Sequence, residues 1–82
     1  MKLPVIRNLA RDYEASKLME AVDAFETKRE NSLNVEGDDE SEILTHMLMA
    51  IEVRKKMEDS GLSLQDAIRE QGQRVQKLIK KG

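Results

Sequence analysis

Apolar residues recur at intervals of three and four along most of this 82-residue chain, the spacing that lines one face of an α-helix. The richest stretch places Ile43, Leu44, Met47, Leu48, Ala50, Ile51 and Met57 on a single stripe. Met49 and Val53 fall beside that stripe and widen it, so the pattern predicts a helix over 41–59 that is central and buried on more than one side. A further helix over 63–80 carries Leu64, Ile68, Val75, Leu78 and Ile79 on one side, with Gln71 and Gly72 where the stripe would continue. A glutamine beside a glycine at that point predicts a close helix crossing with Gln71 bonded across it. Gly72 is then a packing or kink position, because glycine inside a helix costs about 1 kcal/mol relative to alanine.

The segment joining these two helices is the clearest local signal. In Ser60-Gly61-Leu62-Ser63, Gly61 suits the left-handed conformation that closes a helix and Ser63 suits the cap of the next one. Asp66 stands three residues after Ser63, a conservative variant of the capping box, with Leu62 and Ala67 as a small hydrophobic staple. Helices joined this tightly pack as a hairpin or corner.

The first thirty residues carry two stripes, Val5, Ile6, Leu9, Ala10 and Tyr13, then Leu18, Met19, Val22 and Phe25, whose phase slips between Tyr13 and Ala15. One kinked helix over 5–29 or two short ones satisfy this pattern. The slip favours a break near 12–16, with Asp12 or Ser16 as the cap and Pro4 in the first turn. Residues 30–40 are polar, contain Gly37, and form the one real loop, the segment expected to have the most freedom. Together these elements predict one all-α domain over 1–82, a small bundle of three to four helices ending in a helix-turn-helix hairpin.

Composition narrows what such a bundle can be. A chain of this length buries only about 60–65% of its unfolded surface, so its core is modest and often supplemented. With no cysteine and a single histidine, His46, neither a disulfide framework nor a cysteine–histidine zinc site is available, and self-association remains. The apolar surplus of the central helix points the same way, so Met47, Met49, Ile51 and Val53 are expected to meet a second copy, giving a homodimer or higher oligomer. Met49, off the main stripe, is the methionine expected to face a partner. The N-terminus lacks the apolar run and cleavage site of a signal peptide, and no window approaches the ~18 apolar residues of a spanning helix. A soluble protein without cysteine fits the reducing cytoplasm, with no membrane partner.

The net charge of −2 hides an uneven distribution, since residues 30–42 carry six acids and no base while Arg69, Arg74, Lys77, Lys80 and Lys81 dominate the end of the chain. Complementarity to helix ends accounts for both clusters, and attraction between the two is the alternative. The stretch from Met57 to Ile68 also has the outline of a DNA-binding helix-turn-helix, for which Arg69, Arg74 and Lys77 would supply phosphate contacts. The acidic net charge and Asp66 on the would-be reading face argue against it, and nucleic-acid binding stays the alternative function.

No catalytic constellation emerges. Glu42 and His46 are four apart, whereas helical di-iron sites use Glu-x-x-His, three apart, and Ile43 holds that position. No metal or other cofactor is therefore expected, a metal-dependent helical protein built on His46 ranks behind nucleic-acid binding as the second alternative, and His46 reads as a surface or interface residue. The string Gly37-Asp38-Asp39-Glu40-Ser41-Glu42 lacks the alternation and distal glutamate of a calcium loop. A nucleophile elbow and a glycine-rich phosphate loop are likewise missing, so the chain reads as a non-enzymatic interaction or structural module.

Met1-Lys2-Leu3-Pro4-Val5-Ile6, Ala50-Ile51-Glu52-Val53, and Ala67-Ile68 followed by Gln73-Arg74-Val75 resemble a family of short, uncharacterised bacterial proteins frequent in Bacteroidetes and their relatives. The likeness runs over most of the chain. It implies a compact stand-alone helical domain and brings no activity, ligand or catalytic residue with it.

Overall fold

The computed structural model describes the backbone of residues 2–81 and the side chains of residues 2–74. Four helices follow one another: α1 (Leu3–Asp12), α2 (Ala15–Lys28), α3 (Glu40–Ser60) and α4 (Leu64–Lys81). The fold is the expected all-α bundle, and the phase slip marks a true break, with Tyr13 and Glu14 between two separate helices.

α3 is the hub. The other three helices each pack against it, and α1 also touches α4. Hydrogen bonds give the helix directions. Lys2 meets His46 and Ala10 meets Arg54, both at a separation of 44 residues, and a constant offset means that α1 and α3 run in the same sense. α2 runs opposite to α3, since its start at Ala15 meets Glu58 and its C-cap Arg29 meets Glu40. α4 also runs opposite to α3, through Lys56 to Glu70 and Glu52 to Gln71.

The core forms where these faces converge. Ile6, Leu9 and Ala10 of α1, Leu18, Ala21, Val22 and Phe25 of α2, and Ala67 of α4 close around Met47, Ala50, Ile51 and Val53 of α3. Leu18 is wholly buried and Met47 is 1% exposed.

The connection between α3 and α4 follows the sequence closely. Gly61 is left-handed at φ 68° and its N–H donates to the Met57 carbonyl, while the Ser63 hydroxyl accepts from Asp66 N–H at 3.1 Å. At the head of α3, Asp39 caps by accepting from Glu42 N–H at 2.8 Å, and the Glu42 carboxylate accepts from Asp38 N–H at 3.0 Å. The Asp38 N–H draws the Glu42 carboxyl below its ordinary value.

The acidic loop is held more firmly than its composition implies. Asn31 clasps Val35 with its side-chain amide donating to the Val35 carbonyl and its Oδ1 accepting the Val35 N–H, both at 2.9 Å, and Val35 is buried in the core. Gly37 then passes so close to the first turn of α3 that a Cβ there would lie 2.7 Å from Ile43 Cγ1 and 2.9 Å from Ile43 N. Glycine is required at 37 by contact, and the loop is pinned where the sequence promised freedom. Its acids pair with Arg29 and Lys2, through Glu40 at 2.8 Å and Asp38 at 4.0 Å. The side chains of Lys77, Lys80 and Lys81 lie outside the described residues.

Candidate functional site

α3 carries a second stripe, His46, Met49 and Val53, turned toward α1 and α4. His46 is completely buried rather than at a surface or interface, and both ring nitrogens are engaged. The backbone N–H of Lys2 donates to Nε2 at 2.9 Å, and Nδ1 lies 2.7 Å from the Glu36 carbonyl. A backbone amide can only donate, so Nε2 is the acceptor and Nδ1 carries the proton that bonds Glu36. The ring thus fastens the N-terminus and the acidic loop to α3. Membership of the stripe with Met49 and Val53 was the sequence signal for this burial. The Glu42 spacing drew attention to metal chemistry instead. Among the described residues no group of three or more histidine or carboxylate side chains is placed to hold a metal ion.

One turn further along, α3 and α4 face each other through Gln71. Its side chain is 5% exposed, and its Nε2 donates to the Glu52 carboxylate, with Met49 Sδ at 3.7 Å. The expected bond across the crossing is therefore present. A carboxylate is an acceptor, which fixes the amide orientation and turns Oε1 away from Glu52. Among the described residues Gln71 Oε1 is buried and has no hydrogen-bond partner. Such orphans are uncommon in folded proteins, because leaving a buried acceptor unpaired costs about 1–3 kcal/mol.

Gln71 lies on the wall of an apolar pocket of about 200 Å³, formed by Leu3 and Ile6 of α1, Met49 and Val53 of α3, and Ile68 and Gly72 of α4. Gly72 departs from expectation here. A Cβ at that position would meet nothing within 4 Å, so the glycine marks no tight helix contact and its missing side chain leaves the pocket wall open. Leu3, 52% exposed, stands at the rim.

At the other end of α3, Arg54 and Glu58 organise the corner between α1 and α2. Arg54 donates to the Ala10 carbonyl at 3.1 Å and the Arg11 carbonyl at 3.4 Å, closing the last turn of α1. Glu58 Oε2 accepts the Ala15 N–H at 3.1 Å and also the Arg54 Nε–H at 2.8 Å. The cap of α2 is thus neither Asp12 nor Ser16. Glu14 holds the N-cap position without a side-chain bond, and the carboxylate comes from α3. Arg54, and after it the Ala15 amide, hold the Glu58 carboxyl below its ordinary range.

Of the four residues expected to meet a second copy, three have no surface to offer. Met47 and Val53 are each 1% exposed and Ile51 is 9% exposed. The apolar surplus that suggested an external partner is taken up by α1, α2 and α4 of the same chain. Met49 is half-buried at the pocket. Arg69 and Arg74 are exposed, Arg69 lying 3.9 Å from Asp66, and the side chain of Lys77 lies outside the described residues. No helix among the described residues is long and apolar enough to cross a membrane.

Comparison with known proteins adds one placement. A family model covers residues 1–80. The chain belongs to DUF6952, a family of unknown function. The DUF6952 match spans α1, α2, α3 and α4 up to residue 80, so the His46 fastening, the Gln71 pocket and the Arg54–Glu58 corner all lie within it. No curated protein and no solved structure matches the chain.

Proposed function

We propose that this DUF6952 chain is a non-enzymatic interaction module that self-associates along the seam between α2 and α3. The observation that carries this is Leu48, an α3 leucine left 47% exposed in a helix whose neighbouring apolar residues are covered. Leu44 shares a groove with Phe25 and Arg29, while Lys55 shares one with Met19 at the start of α2. Leu48 follows Leu44 by four residues and precedes Lys55 by seven, so it sits on the same face of α3. Met19 is 44% exposed on the α2 side of the seam. Leu44, Leu48 and Met19 thus mark an apolar line running between two antiparallel helices. A two-fold axis beside that line would let the same residues cover each other on both copies.

The non-enzymatic part rests on His46. The sole histidine has both ring nitrogens committed to backbone partners and no exposed edge, so the side chain best suited to general acid–base work is spent on the fold. The cysteine-free sequence supports a cytoplasmic location.

Light scattering coupled to gel filtration tests the proposal. The wild-type chain at tens of micromolar is expected to run at twice the monomer mass, and Leu48→Glu to run as a monomer with unchanged helix content. A wild-type chain that stays monomeric in that range overturns self-association.

A further inference from the structure

The pocket between α1, α3 and α4 opens between the two basic helices of an acidic chain. α1 and α4 together carry seven basic residues and three acidic ones, while the whole sequence is net −2, so the negative charge lies elsewhere in the molecule. Among the described residues that line the pocket none is charged. Apolar walls therefore sit between positive flanks.

One base stands beside the mouth. Leu3, 52% exposed, forms the rim, and Arg7 follows it by four residues, the spacing that sets two side chains about 5–6 Å apart at Cβ on one helix face. Ile6, immediately before Arg7, lines the wall. Arg7 is exposed, and among the described residues its side chain has no hydrogen bond or ion pair. Leu3 is also the first residue of α1, where the positive end of the helix dipole adds to Arg7, and no acid in that turn offsets it.

We propose that this pocket binds a short free fatty acid, with the acyl chain against the apolar walls and the carboxylate on Arg7. The volume sets the length. An apolar cavity of about 150 Å³ takes benzene, a six-carbon ligand, and in that proportion this pocket takes a chain of about eight carbons, since it measures about 200 Å³. The flexible Met49 thioether suits a chain without fixed shape. A second copy is a poor occupant, because two-fold symmetry across this pocket would set its basic flanks against their own counterparts.

Gly72 supplies the control. It lines the pocket, and an added Cβ would meet nothing within 4 Å, so a leucine there occupies pocket space without displacing backbone.

The test titrates the full chain at neutral pH with octanoate, below its micelle-forming concentration, and separately with 1-octanol, following the NMR methyl signals of Ile6, Met49, Val53 and Ile68. Octanoate is expected to shift these signals saturably, and added salt to weaken octanoate alone. Arg7→Gln is expected to weaken octanoate by about two- to fivefold, the worth of an exposed ion pair, and to leave octanol unchanged. Gly72→Leu is expected to abolish both responses with helix content intact. The proposal is overturned if octanoate leaves the pocket methyls unmoved, if Arg7→Gln affects octanoate and octanol alike, or if Gly72→Leu binds octanoate as the wild type does.

Discussion

Single residues hold this fold at points that composition alone would pass over. His46 joins a backbone amide at residue 2 to a backbone carbonyl at residue 36. His46→Phe keeps an aromatic ring in the core but offers neither bond, and should cost about 1–3 kcal/mol. A chemical denaturation midpoint measures that loss. Limited proteolysis should show cleavage within 30–40 accelerating while helix content holds, and unchanged cleavage would mean that the histidine does not fasten the loop. Gly37 makes the complementary point through contact. Gly37→Ala should destabilise by about 1–3 kcal/mol, the usual cost of forcing atoms into an occupied site. Adding Ile43→Ala should recover only part of that loss, because Ile43 N also lies within 2.9 Å of the new methyl. Full recovery would place the clash in the side chain alone.

Between elements, what was legible depended on how far apart the partners lie in sequence. The turn from α3 to α4 could be read almost atom by atom because Gly61, Ser63 and Asp66 stand within six residues and satisfy one another locally. The corner from α1 to α2 showed only as a phase slip. Its capping group is Glu58, 43 residues from the amide that it accepts, and no local pattern carries that pairing. Gln71 was legible as a bridging residue because a polar side chain interrupts an apolar stripe. Gly72 misled because a glycine in a helix signals close approach and open space equally well. The corner also has a pH signature. Glu58 titrates below its ordinary value of 4.5 in the folded chain, so the stability it contributes is fully present above that value and is lost as pH falls through the folded one. Glu58→Gln should lower the melting temperature at pH 7 and flatten its further decline between pH 5 and 3. Wild-type and variant curves that stay parallel across that range would show that the carboxylate contributes nothing at the corner.

For the molecule as a whole, α3 determines both stability and how its sequence is understood. An apolar helix wide enough to be buried on several sides predicts its own burial but not whose side chains do the burying. Periodicity is the same whether the partner is another copy or the next helix of the same chain. Here α1, α2 and α4 cover Met47, Ile51 and Val53, leaving Leu3, Met19 and Leu48 as the exposed large apolar side chains among the described residues. A shared hub should also make unfolding concerted. Met47→Ala removes a 1% exposed side chain at a cost of about 2–5 kcal/mol. Its denaturation curve should shift as one transition, with tyrosine emission from Tyr13 and far-ultraviolet helix signal moving together. Separate midpoints for the two probes would mean that α1 and the hub do not unfold as one body.

The shared direction of α1 and α3 has a mechanical corollary. His46 to Lys2, Arg54 to Ala10 and Glu58 to Ala15 are spaced along α3 at nearly one offset, 44, 44 and 43 residues. Pulling residue 2 and residue 60 apart would slide α1 lengthwise over α3 and strain its two links together with the Ala15 bond just beyond them at the start of α2, as in shear. Peeling α4 away from Gly61 would instead part its contacts one after another. The same bundle should therefore resist force strongly along its first helix and weakly along its last.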